Sequence, residues 1–108
     1  MAKLKNVRIT VLQNLFLEEL ALEYGPPGLT ACSRYKPGEI YISERGFMPP
    51  GFCDEAWKSF SHIAFSLARG MEVFFPDWSN EQVIASCNDG VRPVIFKLEA
   101  VEAEEKGN

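Results

Sequence analysis

Three cysteines and one arginine are the side chains of this sequence that could do chemistry together. Cys32, Cys53 and Cys87 are spread along the chain, and Arg92 follows shortly after the last of them. The thiolate is the reactive and metal-binding form of cysteine, and a helix N-terminus or a nearby cation favours it. If these residues meet in the fold, they form a thiol site. Such a site would bind zinc, copper or an iron–sulfur species, or would carry redox or nucleophilic chemistry.

Other interpretations of the same residues remain open. Free cysteine is commonly a small buried apolar residue, so Cys32, Cys53 and Cys87 could all be core residues in a protein without a cofactor. Their spacing contains no CxxC pair and matches no common zinc-ligand pattern. Arg92 could form an ion pair at the rim of the core. It could also bind a carboxylate or phosphate group at a small-molecule pocket whose rim it shares with Trp78.

The remaining residues of interest are aromatic or imidazole. The segment 70–81, GMEVFFPDWSNE, carries Phe74, Phe75 and Trp78. It either seals one end of the core or offers a surface to a partner or ligand. His62 is the single histidine, and it lies opposite the apolar stripe of the helix that contains it. We therefore expect it at the surface, away from any thiol.

The elements that position these residues follow from hydrophobic periodicity. Alternation over residues 5–12 predicts a strand, and Asn14 is a candidate cap for a short helix over about 15–24, which the GPPG at 25–28 ends. Residues 25–38 have no periodicity, and 39–43 reads as a second strand. The spacing of apolar residues predicts a long amphipathic helix over about 53–69, and Phe52 can fold back on Trp57 or its neighbour as a hydrophobic staple.

The last element is a β-hairpin around the turn sequence NDGV. Pairing Cys87 with Arg92 across a four-residue loop puts both on the face that also carries Val83, Phe96 and Leu98, which we expect to contact the long helix. Pro93 has no N–H to donate, so this register predicts an open sheet edge beside it. The thiol site requires that the amino end of the long helix lie against this turn.

Two motifs resemble those of a family of small uncharacterised prokaryotic proteins. PPGFCDEAW and CNDGVRPVIFKLE are similar to a helix start of the form PxGFCxxAW and a hairpin of the form CxDGxRPVxFK in that family. The resemblance extends from about Lys5 to Leu98, and Cys32 matches a cysteine that usually precedes the second strand. It implies an α+β fold and a cytoplasmic location, and it implies no known reaction.

Composition and charge limit the classes of function that we expect for this protein. Most of the net charge of −4 falls in residues 99–108, which hold four glutamates and one lysine, and the other cations are scattered. Nucleic-acid binding rests on clustered Lys and Arg, so we do not expect it. No apolar run is long enough for a signal peptide or a membrane span. Three free cysteines without an export signal fit the cytoplasm.

These observations predict one α+β domain over residues 1–98, followed by a disordered acidic tail over 99–108. Its small, mainly antiparallel sheet is covered on one face by the long helix and accompanied by the short one. We expect a homodimer. The leading functional hypothesis is a non-enzymatic binding or self-association domain. The alternatives are a thiol-based metal or redox module, and a small-anion or small-molecule pocket.

Overall fold

A computed structural model describes residues 4–71 and 82–103 and shows four strands and two α-helices in this part of the chain. In chain order they are β1 (Asn6–Asn14), α1 (Glu18–Tyr24), β2 (Ile40–Ser43), α2 (Asp54–Ala68), β3 (Gln82–Ser86) and β4 (Val94–Val101). The strands form one antiparallel sheet in the order β2-β1-β4-β3, which confirms the predicted α+β class. None of the described helices has the length and apolar character needed to cross a bilayer.

The core lies between α2 and one face of the sheet. Side chains alternate between the two faces of a strand, so β1 buries Val7, Ile9 and Val11 against the helix. The apolar stripe of α2 faces them, as its spacing predicted. Its buried members are Ala56, Phe60, Ile63, Ala64, Leu67 and Ala68.

Aromatic rings make up the centre of this core. The ring of Phe96 on β4 lies 5.2 Å from that of Phe60 on α2, 5.8 Å from Phe52 and 5.4 Å from Tyr35, between centroids. Tyr35 comes from the aperiodic segment between α1 and β2, yet only 4% of it is exposed. Tilted and edge-to-face ring contacts of this kind add about 0.5–1.5 kcal/mol each beyond the area they bury.

The register of the last hairpin differs from the predicted one by two residues. Ser86 pairs with Ile95, and the N–H of Cys87 donates to the carbonyl of Val94 at 3.1 Å. The loop therefore has six residues, Asn88 to Pro93, and the predicted pairing of Cys87 with Arg92 is wrong. A shift of two preserves the faces of a strand, so β3 and β4 still turn the expected apolar residues toward α2, while Arg92 moves into the loop.

The open edges of the sheet also differ from the prediction. β4 lies between β1 and β3, and the carbonyl of Pro93 accepts the N–H of Leu15 at 2.8 Å. The chain after β1 therefore runs beside Pro93, and no open edge exists there. Among the four described strands, β2 and β3 lie at the edges.

Two boundaries differ between the prediction and the structure. The short helix begins at Glu18 rather than near residue 15, because Asn14 is the last residue of β1 and caps nothing. β4 continues to Val101, so Glu99 belongs to the sheet, where its carboxylate binds Arg8 at 2.9 Å, and not to a tail. Residues 104–108 and the predicted aromatic segment with Trp78 lie outside the described residues.

Gly46 sets how closely the turn after β2 approaches α2. Its φ of +91° is a left-handed conformation, and a Cβ there would lie 3.1 Å from the Cα of Phe65. Gly51 has a similar φ of +73° but open space around it. We expect Gly46→Ala to lower the free energy of unfolding by about 1–3 kcal/mol more than Gly51→Ala, because only the first adds overpacking to backbone strain.

Urea unfolding followed by circular dichroism measures both variants. Equal losses of unfolding free energy in the two variants would contradict the close approach of α2 to this turn.

Candidate functional site

The amino end of α2 is fixed from two sides. Cys53 is the residue before the helix, and Phe52 folds back onto Trp57 with ring centroids 6.2 Å apart, which confirms the predicted staple. The peptide N–H of Cys53 donates to the hydroxyl of Tyr35 at 2.8 Å. The Cys53 side chain is half buried and packs against the core.

The cation beside Cys53 is Arg34 and not the predicted Arg92. Its guanidinium donates to the carbonyl of Gly51 at 2.6 Å and lies 5.8 Å from the centroid of the Tyr35 ring. A hydrogen bond with the side chain of Tyr35, followed by charge interactions with Tyr35 and Cys53, raises the pKa of Arg34. No sequence signal identified Arg34, because it lies in the segment without periodicity.

Cys32 is held close to Tyr35 through the backbone. The side-chain amide of Asn14 donates to the carbonyl of Cys32 at 2.8 Å and to that of Tyr35 at 2.6 Å. The Cys32 side chain is half buried against the core. Asn14 thus ties the aperiodic segment to the end of β1, a role that sequence reasoning missed because it assigned Asn14 to a local cap.

Cys87 has a defined hydrogen-bond role. It is the residue after β3, and its sulfur accepts the N–H of Val94 at 3.4 Å while its own N–H donates to the carbonyl of the same residue. The side chain is half buried and packs against the core. The thiol therefore helps to close the hairpin at the point where the loop leaves the sheet.

Arg92 is bound within its own loop. The carboxylate of Asp89 accepts the backbone N–H groups of Val91 at 2.9 Å and Arg92 at 2.8 Å, and its second oxygen accepts Nε of Arg92 at 3.1 Å. The two backbone donors, Arg92 first, and then the Arg92 side chain lower the pKa of Asp89. Arg92 thus has an intraloop partner, as in the rim ion-pair interpretation.

The hairpin loop and the amino end of α2 are neighbours, as the thiol hypothesis required. The amide of Asn88 donates to the carboxylate of Glu55, in the first turn of α2, at 2.9 Å. This bond, together with Lys58, lowers the pKa of Glu55. The predicted pocket between Arg92 and Trp78 cannot be placed, since Trp78 lies outside the described residues.

The three thiols share one core but make no metal centre in the described part of the chain. Cys32, Cys53 and Cys87 are all free and half buried. Within residues 4–71 and 82–103, no group of three or more His, Cys, Asp or Glu side chains could hold a metal ion. The thiol-based metal or redox module stays a prediction from the sequence.

A different feature stands out on the surface, namely the helix α1. Leu17, Leu20 and Tyr24 follow helical spacing and form one stripe, which we call the α1 stripe; they are 42%, 43% and 75% exposed. Only Ala21 of this helix is buried. No other described helix or strand packs extensively against α1, so much of its apolar side stays exposed around Ala21.

The face of the sheet opposite α2 is also uncovered by the described elements. We call it the open face. It carries the exposed Ile40, Ile42 and Ile84, with Arg8 and Lys97 between them binding Glu99 at 2.9 and 3.6 Å. At one end it is concave and forms a groove of about 780 Å³. The groove is lined by Asn6, Arg8, Ile42, Glu44, Arg45, Val101, Glu102 and Ala103.

A smaller groove lies on the outer side of α2. It has a volume of about 450 Å³, and Phe47, Met48, Trp57 and Phe65 contribute its apolar wall. His62 lines it and is exposed, as the sequence predicted.

Removing the hydroxyl of Tyr35 should loosen the amino end of α2. Tyr35→Phe keeps the buried ring but leaves the Cys53 N–H without its acceptor, which should lower the free energy of unfolding by about 1–3 kcal/mol. Tyr41→Phe is the matched control, because its hydroxyl donates to Glu39 at 3.1 Å in a half-exposed position. Hydrogen exchange of the Cys53 amide should accelerate only in Tyr35→Phe. Unchanged exchange would contradict the assigned bond.

Titration of Asp89 should show that backbone donors dominate its environment. Its folded pKa lies below the ordinary value of about 3.9. The carboxylate therefore stabilises the loop above that value, and this contribution is lost as the pH falls through the lowered pKa. In Arg92→Ala the two backbone N–H groups remain, so NMR titration should still give a lowered pKa. A return to the ordinary value would assign the effect to the guanidinium instead.

Comparison of the chain with protein-family models, with curated proteins and with solved structures finds no match.

Proposed function

We propose that the protein is a binding domain that acts through self-association, and that its basic unit is a homodimer. The observation that carries the proposal is the exposed α1 stripe, an apolar helix side against which no other described helix or strand packs extensively. The open face of the sheet is a second uncovered apolar surface on the same molecule.

The α1 helix needs a partner for its own stability. It has seven residues, and isolated helices shorter than about 12–15 residues are marginal in water. It also lacks a side-chain cap at its amino end. Most helices of globular proteins gain their stability by burying an apolar stripe. The only residue that α1 buries is Ala21, so residues 4–71 and 82–103 supply little of that stabilisation.

The charge of α1 limits what the partner can be. Its seven residues include Glu18, Glu19 and Glu23 and no cation. Helices that lie on membrane surfaces carry Lys and Arg on their polar side to contact anionic lipids, and nucleic-acid contacts need the same residues. An acidic helix with exposed leucines fits a protein surface instead.

A second copy of the chain is the partner that we propose. Antiparallel sheets can expose one face to water when that face is polar, but the open face combines three exposed isoleucines with its charged residues. Both surfaces are present on every molecule, and dimers with two-fold symmetry are the commonest assemblies of a single kind of chain.

The finer location that we propose is the cytoplasm. A reducing compartment maintains free thiols, and Cys32, Cys53 and Cys87 are free in this structure. The dimer that we propose is accordingly non-covalent. The resemblance of the two cysteine-containing motifs to a family of small prokaryotic proteins agrees with this location.

Light scattering under reducing conditions tests the dimer. We expect a mass of twice the 12.1 kDa of one chain at high concentration, falling toward the monomer on dilution. Leu20→Gln should weaken the association at least about ten-fold, as loss of a central apolar contact does. Leu22→Gln, on the other side of the same helix and 80% exposed, should leave it unchanged.

Circular dichroism of both variants controls for folding, and glutamine retains a high helix propensity. A wild-type protein that stays monomeric at all concentrations would refute self-association. Equal dissociation constants for Leu20→Gln and Leu22→Gln would remove the α1 stripe from the interface.

A further inference from the structure

We infer that the outer edge of β2 pairs with the same edge of a second copy, so that two sheets join into one continuous antiparallel sheet. This inference rests on the proposed self-association and names a surface that forms it. β2 (Ile40–Ser43) lies at one edge of the four described strands. No described backbone group bonds to its outer side.

The backbone groups of Ile40 and Ile42 form this outer side. The carbonyl of Glu39 accepts the N–H of a β1 residue at 2.9 Å. Bonded and non-bonded residues alternate along an antiparallel pair, so Tyr41 and Ser43 continue the bonding to β1. The N–H and carbonyl groups of Ile40 and Ile42 therefore point away from the sheet. Unpaired groups in such a row are a template for a strand of another chain.

One two-fold register satisfies both residues. When it is centred on Tyr41, Ile40 of each copy lies opposite Ile42 of the other, and four backbone hydrogen bonds form. A register centred on Ile40 would place Ile42 opposite Gly38, whose N–H already donates to β1 at 2.7 Å. A register centred on Ile42 would place Ile40 opposite Glu44, which begins the turn that leaves the sheet. The pairing is thus self-complementary in one way, as a contact with two-fold symmetry requires.

The side chains at this edge gain from the same register. Ile40 and Ile42 are 57% and 42% exposed on the open face. Pairing brings Ile40 of each copy against Ile42 of the other, and cross-strand side-chain pairs of this kind stabilise a sheet. Four isoleucines then form one apolar cluster at the junction of the two sheets.

The charges that flank β2 do not oppose the pairing. Glu39 precedes the strand and Glu44 follows it. In the register centred on Tyr41, Glu39 lies opposite Ser43 of the other copy and Glu44 lies opposite Gly38. Like charges directly opposite each other destabilise a strand pair, and none meet here. β2 also contains neither lysine nor proline, the residues that natural edge strands use against such pairing.

Apolar residues flank this edge on the α2 side of the sheet as well. The hydroxyl of Ser43, which is buried on that side, donates to the carbonyl of Phe47 at 2.7 Å and holds the chain after β2 there. Phe47 and Met48 are exposed and line the groove on the outer side of α2. Edge pairing places these residues next to the other copy, so apolar side chains contribute on both faces of the joined sheet.

Hydrogen exchange of four backbone amides tests the pairing directly. At a concentration where light scattering gives the dimer, the amides of Ile40 and Ile42 should exchange at least about ten-fold more slowly than in the dilute monomer. The amides of Tyr41 and Ser43 bond to β1 and are the internal control, since they should be protected at both concentrations. Mass spectrometry with fragmentation to single residues measures both samples.

Charge variants test which residues meet. The lysine variant, Ile40→Lys with Ile42→Lys, opposes like charges in its own dimer, and so does the glutamate variant, Ile40→Glu with Ile42→Glu. Each should self-associate at least about ten-fold more weakly than the wild type. Their equimolar mixture should associate at least about ten-fold more tightly than either alone, because every lysine then lies opposite a glutamate. Analytical ultracentrifugation with one variant fluorescently labelled measures each pair.

Ile84→Lys is the matched control. Ile84 is also an exposed isoleucine of the open face, but it lies on β3, at the other edge of the described strands. This variant should dimerise as the wild type does, and mixing it with the glutamate variant should restore nothing. Lysine is common on edge strands, so both lysine-bearing proteins should fold. Circular dichroism checks the folding of every variant.

The outcomes separate this inference from the proposed function. A wild-type protein that stays monomeric refutes both. A dimer whose Ile40 and Ile42 amides exchange as fast as in the monomer, or which the lysine variant leaves intact, refutes the edge pairing and retains self-association. Weakened variants that fail to restore each other overturn the pairing as well. A dimer that the lysine variant weakens and Leu20→Gln leaves unchanged retains the edge pairing and removes the α1 stripe from the interface.

Discussion

The hydrogen bond from the Cys53 N–H to the hydroxyl of Tyr35 is the interaction on which the arrangement of the domain depends. The ring of Tyr35 is buried against Phe52 and Phe96, and its hydroxyl lies at the start of α2. One residue therefore joins the segment without regular structure, the main helix and a central strand. The phenol suits this position, because it adds an apolar ring to the core and still satisfies a backbone donor there.

Hydrophobic periodicity correctly predicted which side of each regular element is buried. The alternation in β1 and the three-and-four spacing in α2 identified the buried sides of both elements, since burial selects side chains by direction. The hairpin shows the limit of this signal. Its predicted register was wrong by two residues, yet both strand faces were right, because a period of two does not distinguish these registers. The six-residue loop depends on hydrogen bonds of Asp89 and of the Cys87 sulfur. Such bonds produce no periodic pattern in the sequence.

The candidate site was predicted less well, for a related reason. The sequence correctly predicted that the amino end of α2 lies next to the last loop. It also predicted Arg92 as the cation near the thiols. Arg92 is bound by Asp89, three residues away, whereas Arg34 bonds to the carbonyl of Gly51 and its charge interacts with Cys53. Asn14 was assigned to a local cap and instead bonds to carbonyl groups of the segment around Cys32. Asparagine serves in both kinds of contact, and only the tertiary structure decides between them.

The short helix α1 carries an apolar pattern that the described part of the chain does not bury. Its stripe has the spacing of a helix that packs on a core, yet most of the stripe is exposed, while the sheet exposes an uncovered face of its own. Stability in small domains is a narrow balance, so unburied apolar surface on two separate elements is costly for a monomer. In the proposed dimer, contact between two molecules would bury part of this apolar surface.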